Sequence, residues 1–193
     1  MENYKVENIY LNIHKETSDE WETRLNDVLL NGSKYNDKYV AFWGSCFSNF
    51  FPCNFTLEGK HWTTSEKYFM WKKAMTFGDT EIADEILNND DPRTVKKLGR
   101  QVKDFSSDVW DRVKFDIMYN AVKAKFTQDS DCNKCIKIFE KQKFIEGSPY
   151  DVVWGVGIRY DDENVFDENK WKGENLLGKI VTIVRDEILK SNT

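Results

Sequence analysis

The sequence predicts an α+β fold, predominantly helical, with a small β component in a single domain. Three observations carry this expectation. Apolar residues recur at spacings of three and four over most of the chain, the period of an amphipathic helix. Runs of β-branched and aromatic residues are few and short. A chain of 193 residues is enough for one hydrophobic core and too short for two domains of ordinary size.

Residues 1 to about 37 read as an N-terminal extension, polar and rich in Asn, Lys and Glu. It carries one amphipathic helix, with Trp21, Leu25, Val28 and Leu29 on one face behind a Ser18 cap. Asn31-Gly32-Ser33 ends that helix, and Lys38 to Trp43 opens the main domain, residues 38–193, as a strand. Asn54 to Leu57 and Lys60 to Trp62 flank Glu58-Gly59 as a two-residue hairpin, with glycine supplying positive φ. After Thr63-Thr64 a helix runs to about Phe77, and a second covers Asp79 to Leu87 through Ile82, Ala83 and Ile86. Asp91 caps a third, with Pro92 at its first position and Val95, Leu98 and Val102 facing inward. The longest periodic stretch, Ser107 to about Phe126, places Trp110, Val113, Ile117, Ala121 and Ala124 on one stripe. A helix around Cys132 to Lys141 and an extended Lys143 to Glu146 lead into the Gly147-Ser148-Pro149 loop, where chemistry is expected. The last helix follows Gly173-Glu174-Asn175 and carries Leu176, Leu177, Ile180, Val181, Val184 and Ile188.

Charge and composition narrow the function. Acidic residues outnumber basic ones, 33 to 28, which argues against a general polyanion binder. Aromatic residues reach 15%, more large rings than a core of this size needs, so some are expected to form a stacking site. No apolar run approaches the roughly 18 residues of a membrane span, and Met1-Glu2-Asn3-Tyr4-Lys5 lacks the build of a signal peptide. A soluble cytoplasmic protein without a membrane partner is the expectation, with its four cysteines as free thiols. There is no phosphate-binding glycine loop, no nucleophile elbow and no dinucleotide fingerprint. Two histidines far apart and one isolated Cys132-x-x-Cys135 do not make a metal centre, so neither metal nor organic cofactor is expected.

What remains is carboxylate, amine and aromatic chemistry. Glu66 and Lys73 stand seven residues apart on one predicted helix, two turns and about 10 Å along its axis, hence on one face. Glu66 also completes a Thr63-x-x-Glu66 capping box, and Lys73 also reads as a solvated lysine beside Lys72. Asp151 and Trp154 suit a carboxylate that handles a ribose hydroxyl or water beside a ring that stacks a base, or a turn-capping Asp before a core Trp. Trp110 fits the core stripe and Asn175 a helix cap, while Arg100 beside Lys96 and Lys97 suits either a phosphate or a solvated face.

In order along the chain, these segments resemble the NADAR family, also called YbiA-like proteins. Its opening signature is matched by Phe47-Ser48-Asn49-Phe50-Phe51-Pro52, Leu57-Glu58-Gly59-Lys60, Trp62-Thr63-Thr64-Ser65-Glu66-Lys67-Tyr68-Phe69 and Lys73-Ala74. Its later blocks are matched by Leu98-Gly99-Arg100, Trp110, Ala124-Lys125-Phe126, Glu146 to Asp151, Trp154-Gly155-x-Gly157 and Gly173-x-Asn175-Leu176-Leu177-Gly178-Lys179. The resemblance covers roughly residues 38 to 190. It implies a YbiA-like helical domain that hydrolyses N-glycosidic bonds, removing ADP-ribose from guanine or hydrolysing a phosphorylated ribosylamine of the riboflavin pathway. A reader that binds ADP-ribose or NAD without cleaving it is the alternative of another class.

Carried over position by position, the resemblance implies catalytic roles for Glu66, Lys73 and Asp151, and substrate contacts for Asn49, Arg100, Trp110, Trp154 and Asn175. In that reading Glu66 stabilises the cation at C1′, Lys73 attacks it to give an imine, and Asp151 orients the ribose or the water. Trp110 and Trp154 stack the base, while Asn175 and Arg100 bind the diphosphate. The substrate is an ADP-ribosylated nucleotide or nucleic-acid base. Two departures stand out: Lys67 occupies a position where the family often has His, and the segment from Tyr160 to Lys172 is longer than in compact members.

Overall fold

The structure is a computed structural model that describes residues 19–191; the expected Ser18 cap lies outside them. It is the helix-dominated α+β fold that the sequence predicts, with seven α-helices among the described residues and two small sheets. Among the described residues the contacts fall into two compact units, one formed by residues 19–48 and 130–191, the other by Asn49–Asp129.

In the first unit, α1 (Asp19–Arg24) continues into a π-helical turn, Leu25–Leu29, closed by the Leu30 N–H on the Leu25 carbonyl at 2.8 Å. The wider turn puts Leu25, Leu29 and Leu30 inside and leaves Val28 46% exposed. Val28 therefore does not share the buried face that an α-helical spacing assigns to it. Three further residues, Ser33–Tyr35, form β1, which sequence pattern had left in the polar extension. This strand pairs antiparallel with β2 (Tyr39–Phe42) across a turn in which Asn36 Oδ1 accepts the Lys38 and Tyr39 N–H groups. On its other edge β2 runs parallel to β5 (Lys143–Glu146), giving the order β1-β2-β5.

The central strand buries Val40, Ala41 and Phe42 completely, as expected for a strand paired on both edges. Helix α6 (Ser130–Lys137) is shorter than its sequence pattern predicts and buries Cys132, Cys135 and Ile136. Helix α7 (Leu176–Lys190) buries Leu177, Ile180, Val181, Val184 and Ile188, the stripe read from the sequence. It packs on β5 through Gly178, where a Cβ would come within 2.2 Å of the Phe144 carbonyl oxygen, so this contact needs glycine. The long segment from Tyr160 to Lys172 contains two 3₁₀ turns, Glu163–Phe166 and Glu168–Lys170. It folds onto the sheet through Tyr39, whose ring stacks on Phe166 and whose hydroxyl donates to Glu168 at 2.7 Å.

The second unit opens with the hairpin β3 (Phe55–Leu57) and β4 (Lys60–Trp62). Both turn residues have positive φ, 51° at Glu58 and 71° at Gly59, the pattern of a type I′ turn. Glu58 is held there by Tyr68 Oη at 2.9 Å and Lys72 Nζ at 2.7 Å. Four helices follow: α2 (Ser65–Thr76), α3 (Thr80–Leu87), α4 (Pro92–Gly99) and α5 (Ser107–Gln128). Asp79, Asp91 and Ser106 cap the last three through side-chain bonds to first-turn N–H groups. Val102 lies beyond the end of α4, yet it is buried.

Candidate active site

The start of α2 decides how Glu66 is used. The Thr63-x-x-Glu66 capping box does not form. The cap is Thr64, whose Oγ1 accepts the Lys67 N–H at 3.1 Å, while the Thr63 hydroxyl donates to Asp90 at 2.9 Å. Glu66 thus sits one position inside the first turn, where the helix dipole favours negative charge, and its side chain is buried. Its own N–H donates to the Asn49 carbonyl at 3.1 Å, so the buried Asn49 fixes the backbone that carries the carboxylate. Lys67, the departure from the family pattern, is buried, and its ammonium meets the exposed Asp90 at 2.8 Å.

Two turns further on, Lys73 is half-buried. Its Nζ donates to the Gly99 carbonyl at the end of α4 at 2.8 Å and lies 4.2 Å from the centre of the Phe105 ring. Burial pushes its amine below the ordinary lysine range, and the neighbouring Arg100 cation adds to the effect. Lys73 is therefore unlike Lys72, which forms an ion pair with Glu58. The approach of α4 depends on the missing side chain of Gly99, because a Cβ there would fall 2.0 Å from Met70 Sδ and 3.1 Å from Met70 Cβ. Arg100 is exposed just past the helix end.

Trp110 is buried beside these groups. Its ring centre is 5.0 Å from Phe69 and 6.5 Å from Phe77, and Phe77 in turn meets Phe105 at 5.2 Å. Asn49, Glu66, Lys73, Arg100 and Trp110 thus belong to the second unit.

Asp151, Trp154 and Asn175 belong to the first. Asp151 Oδ1 accepts from the N–H groups of Val153 at 3.1 Å and Trp154 at 2.8 Å, so this carboxylate shapes the turn that presents the half-buried Trp154. Asn175 precedes α7 in the left-handed conformation, φ 56°, and its side chain does not cap that helix. Its Oδ1 accepts the Glu146 N–H at 2.9 Å and its Nδ2 donates to the Phe144 carbonyl at 3.0 Å, tying the start of α7 to the backbone of β5.

Among the described residues no group of three or more His, Cys, Asp and Glu side chains is placed to hold a metal ion. The four cysteines are buried thiols, with Cys46 Sγ 3.0 Å from Cys135 Sγ. Sequence reasoning named Gly99 only as part of the Leu98-Gly99-Arg100 block, without a role, and missed Phe105. A signal for Phe105 existed: it immediately precedes the Ser106 cap and stands five residues before Trp110, the two positions of a hydrophobic staple.

In the second unit a buried carboxylate and an amine with lowered proton affinity share a helix lined with rings. That combination can stabilise a cation at a sugar carbon and trap it with a nitrogen nucleophile. The NADAR domain model matches residues 41–189. An N-glycosidase of Acanthamoeba polyphaga mimivirus is 36% identical over 164 residues, which are 78% of this chain and 96% of that protein. N-glycosidase YbiA of Escherichia coli (strain K12) is 27% identical over 85% of this chain and 91% of its own length. The NMR structure of E. coli YbiA superposes with a TM-score of 0.67 at 25% identity, covering 86% of this chain and 93% of that one. A riboflavin biosynthesis protein of Vibrio vulnificus is 26% identical over 73% of this chain and 35% of its own length. Both the ordered motifs and the fold are therefore those of relatives, and the chain belongs to the NADAR domain family.

Proposed function

We propose that this protein hydrolyses the bond between ribose C1′ and the base nitrogen of ADP-ribosylated guanine, releasing ADP-ribose. The coarser statement, that the chain is a hydrolase of N-glycosyl bonds, rests on its family and on relatives that are named N-glycosidases. The observation that carries the proposed amine chemistry is the state of Lys73: half-buried, fixed on the Gly99 carbonyl, and lowered in proton affinity by burial and Arg100. Such an amine is nucleophilic in a way that an exposed lysine is not.

As the C1′–N bond lengthens, its electron pair moves to the base nitrogen, and positive charge builds on C1′ and the ring oxygen. Glu66 is the carboxylate that stabilises this charge. Neutral Lys73 Nζ then bonds to C1′; one of its protons passes to the departing base nitrogen, and the second passes to the ring oxygen as the C1′–O4′ bond breaks to leave an imine. Water adds to that imine, the C1′–Nζ bond breaks, and free ADP-ribose and the neutral amine are regenerated. Trp110 provides a ring surface for the base, a stacking contact being worth about 1–3 kcal/mol, while the supported role of Asp151 is to shape the turn that carries Trp154. Arg100 supplies positive charge for the diphosphate. For Asn175 the supported role is to fix the end of β5, given its two bonds to that strand. The protein acts on a nucleotide or nucleic-acid base and needs no membrane for this chemistry; no helix among the described residues is long and apolar enough to cross one. The cytoplasm is the compartment proposed.

A second reading keeps the chemistry and changes the substrate to a phosphorylated ribosylamine, favoured by the relative named for riboflavin biosynthesis. The deciding experiment incubates wild type and Glu66→Gln with an oligonucleotide carrying ADP-ribosylated guanine and measures ADP-ribose by mass. Release by wild type alone is the expected result. Absence of release, with turnover of the ribosylamine in the same assay, selects the second reading. Saturable ADP-ribose binding with no turnover of either substrate selects a non-catalytic ADP-ribose-binding module.

A further inference from the structure

Phe105 is a half-exposed ring with an unusual neighbour. It lies between Asp104, whose backbone is left-handed at φ 52°, and Ser106, the cap of α5, so its backbone is fixed from both sides. Its edge-on contact with Phe77, 5.2 Å between centres at 61°, anchors one side of the ring. The face is directed at Lys73, with Nζ 4.2 Å from the ring centre, well inside the roughly 6 Å reach of a cation–π contact. The Gly99 carbonyl accepts a hydrogen bond from the same nitrogen. A lysine has four rotatable side-chain bonds, and one hydrogen bond alone would leave its amine free to swing about the acceptor. A ring and a carbonyl acting together define its direction.

We propose that Phe105 is a positioning residue for Lys73, its ring face and the Gly99 carbonyl together aiming the amine. This rests on the reading of Lys73 as the nucleophile. The charged group that acts on that amine is Arg100 at the end of α4; Glu66 stands two turns back on α2, and Lys103 and Asp104 precede Phe105 in the chain. Lys103 is paired with Glu81 at 2.8 Å.

The test places phenylalanine, difluorophenylalanine or trifluorophenylalanine at position 105 of the full chain. Fluorination weakens the ring face while the side chain stays close to its original shape. Lys73 is then labelled with an amine-selective acylating reagent across pH, and labelling at that residue is read by mass. The ring stabilises the charged amine, so successive fluorination is expected to shift the labelling midpoint stepwise to lower pH. A packing role alone would leave the midpoint where it is. Phe105→Leu is expected to lower kcat about tenfold with KM near the wild-type value, and Phe105→Tyr to restore most of the loss. An unchanged midpoint across the fluorinated series overturns the proposal, even if Phe105→Leu impairs turnover. Normal turnover by Lys73→Arg would instead remove the lysine from the chemistry, and the labelling series would still report whether Phe105 holds the amine.

Discussion

Lys73 and Asn175 both carry nitrogen donors into the interior of their units, and they are held in opposite ways. Asn175 has both ends of its amide committed to the backbone of β5, accepting from Glu146 and donating to Phe144. Lys73 has one carbonyl partner and one ring, while its burial and a nearby cation weaken its hold on a proton. A buried amide satisfied by strand backbone stabilises the fold. A buried amine disfavoured in its charged form is reactive, and it makes the fold less stable. The contrast separates scaffolding from chemistry by what each group does with its polar atoms, even though both were candidates for the same site.

The largest effects expected from this contrast are chemical. Glu66→Gln and Lys73→Arg are each expected to lower kcat/KM by about a thousandfold. Circular dichroism and the thermal midpoint should remain close to wild type, because neither change opens a cavity. Asn175→Ala should do the reverse. It leaves a buried N–H and a buried carbonyl of β5 without this partner, at about 1–3 kcal/mol for each group, read as a lower urea midpoint. The turnover of the molecules that remain folded should fall far less than in the α2 variants.

A smaller effect follows from Arg100. Neutral Lys73 is the reactive form, so activity should rise with pH as the amine loses its proton, and this limb should lie below the ordinary lysine range. Removing the cation in Arg100→Ala raises the proton affinity of Lys73, which moves the limb to higher pH and lowers turnover a few-fold at neutral pH. A limb unchanged in Arg100→Ala would detach Arg100 from the lysine. Weaker substrate binding at every pH would then leave it a diphosphate contact alone.

The smallest effect concerns stability. The proton affinity of Lys73 is lower folded than unfolded, so between the two pKa values the unfolded chain binds more protons, and stability rises with pH there. Below the folded value the buried charge carries its full penalty. Lys73→Met should therefore be inactive and slightly more stable than wild type at neutral pH, with the difference shrinking as pH rises through the folded pKa. Urea titrations at two pH values would measure it.

Much of this arrangement was legible in the sequence wherever the signal was local. The stripe from Trp110 to Ala124 gave helix α5, the Glu58-Gly59 pair gave the hairpin, and Asp91-Pro92 gave the start of α4. The failures have physical causes. In Thr63-Thr64 two adjacent hydroxyls offer alternative cap registers one residue apart, and the choice of Thr64 goes with the bonds from Thr63 and Lys67 to Asp90, 27 and 23 residues away. The strand Ser33–Tyr35 is too short and polar to announce itself, and it is extended because β2 pairs with it. The parallel pairing of β2 with β5 joins segments about a hundred residues apart, for which no local pattern exists. Val28 was misplaced because a π turn shifts the phase of an otherwise regular stripe. For the candidate site, the residue types and the spacing of Glu66 and Lys73 were readable. The partners that distinguish Lys73 from Lys72 were not, since Gly99 and Phe105 reach it from α4 and from the segment before α5.

The most direct test of the central claim is to trap the proposed imine. Wild-type protein is mixed with the ADP-ribosylated guanine oligonucleotide, quenched with borohydride during turnover, digested and analysed by mass. The account predicts one substrate-dependent adduct, a reduced ribosyl-amine linkage on Lys73, absent from Lys73→Arg and from samples without substrate. Turnover that yields no adduct, or an adduct on a different lysine, would contradict it.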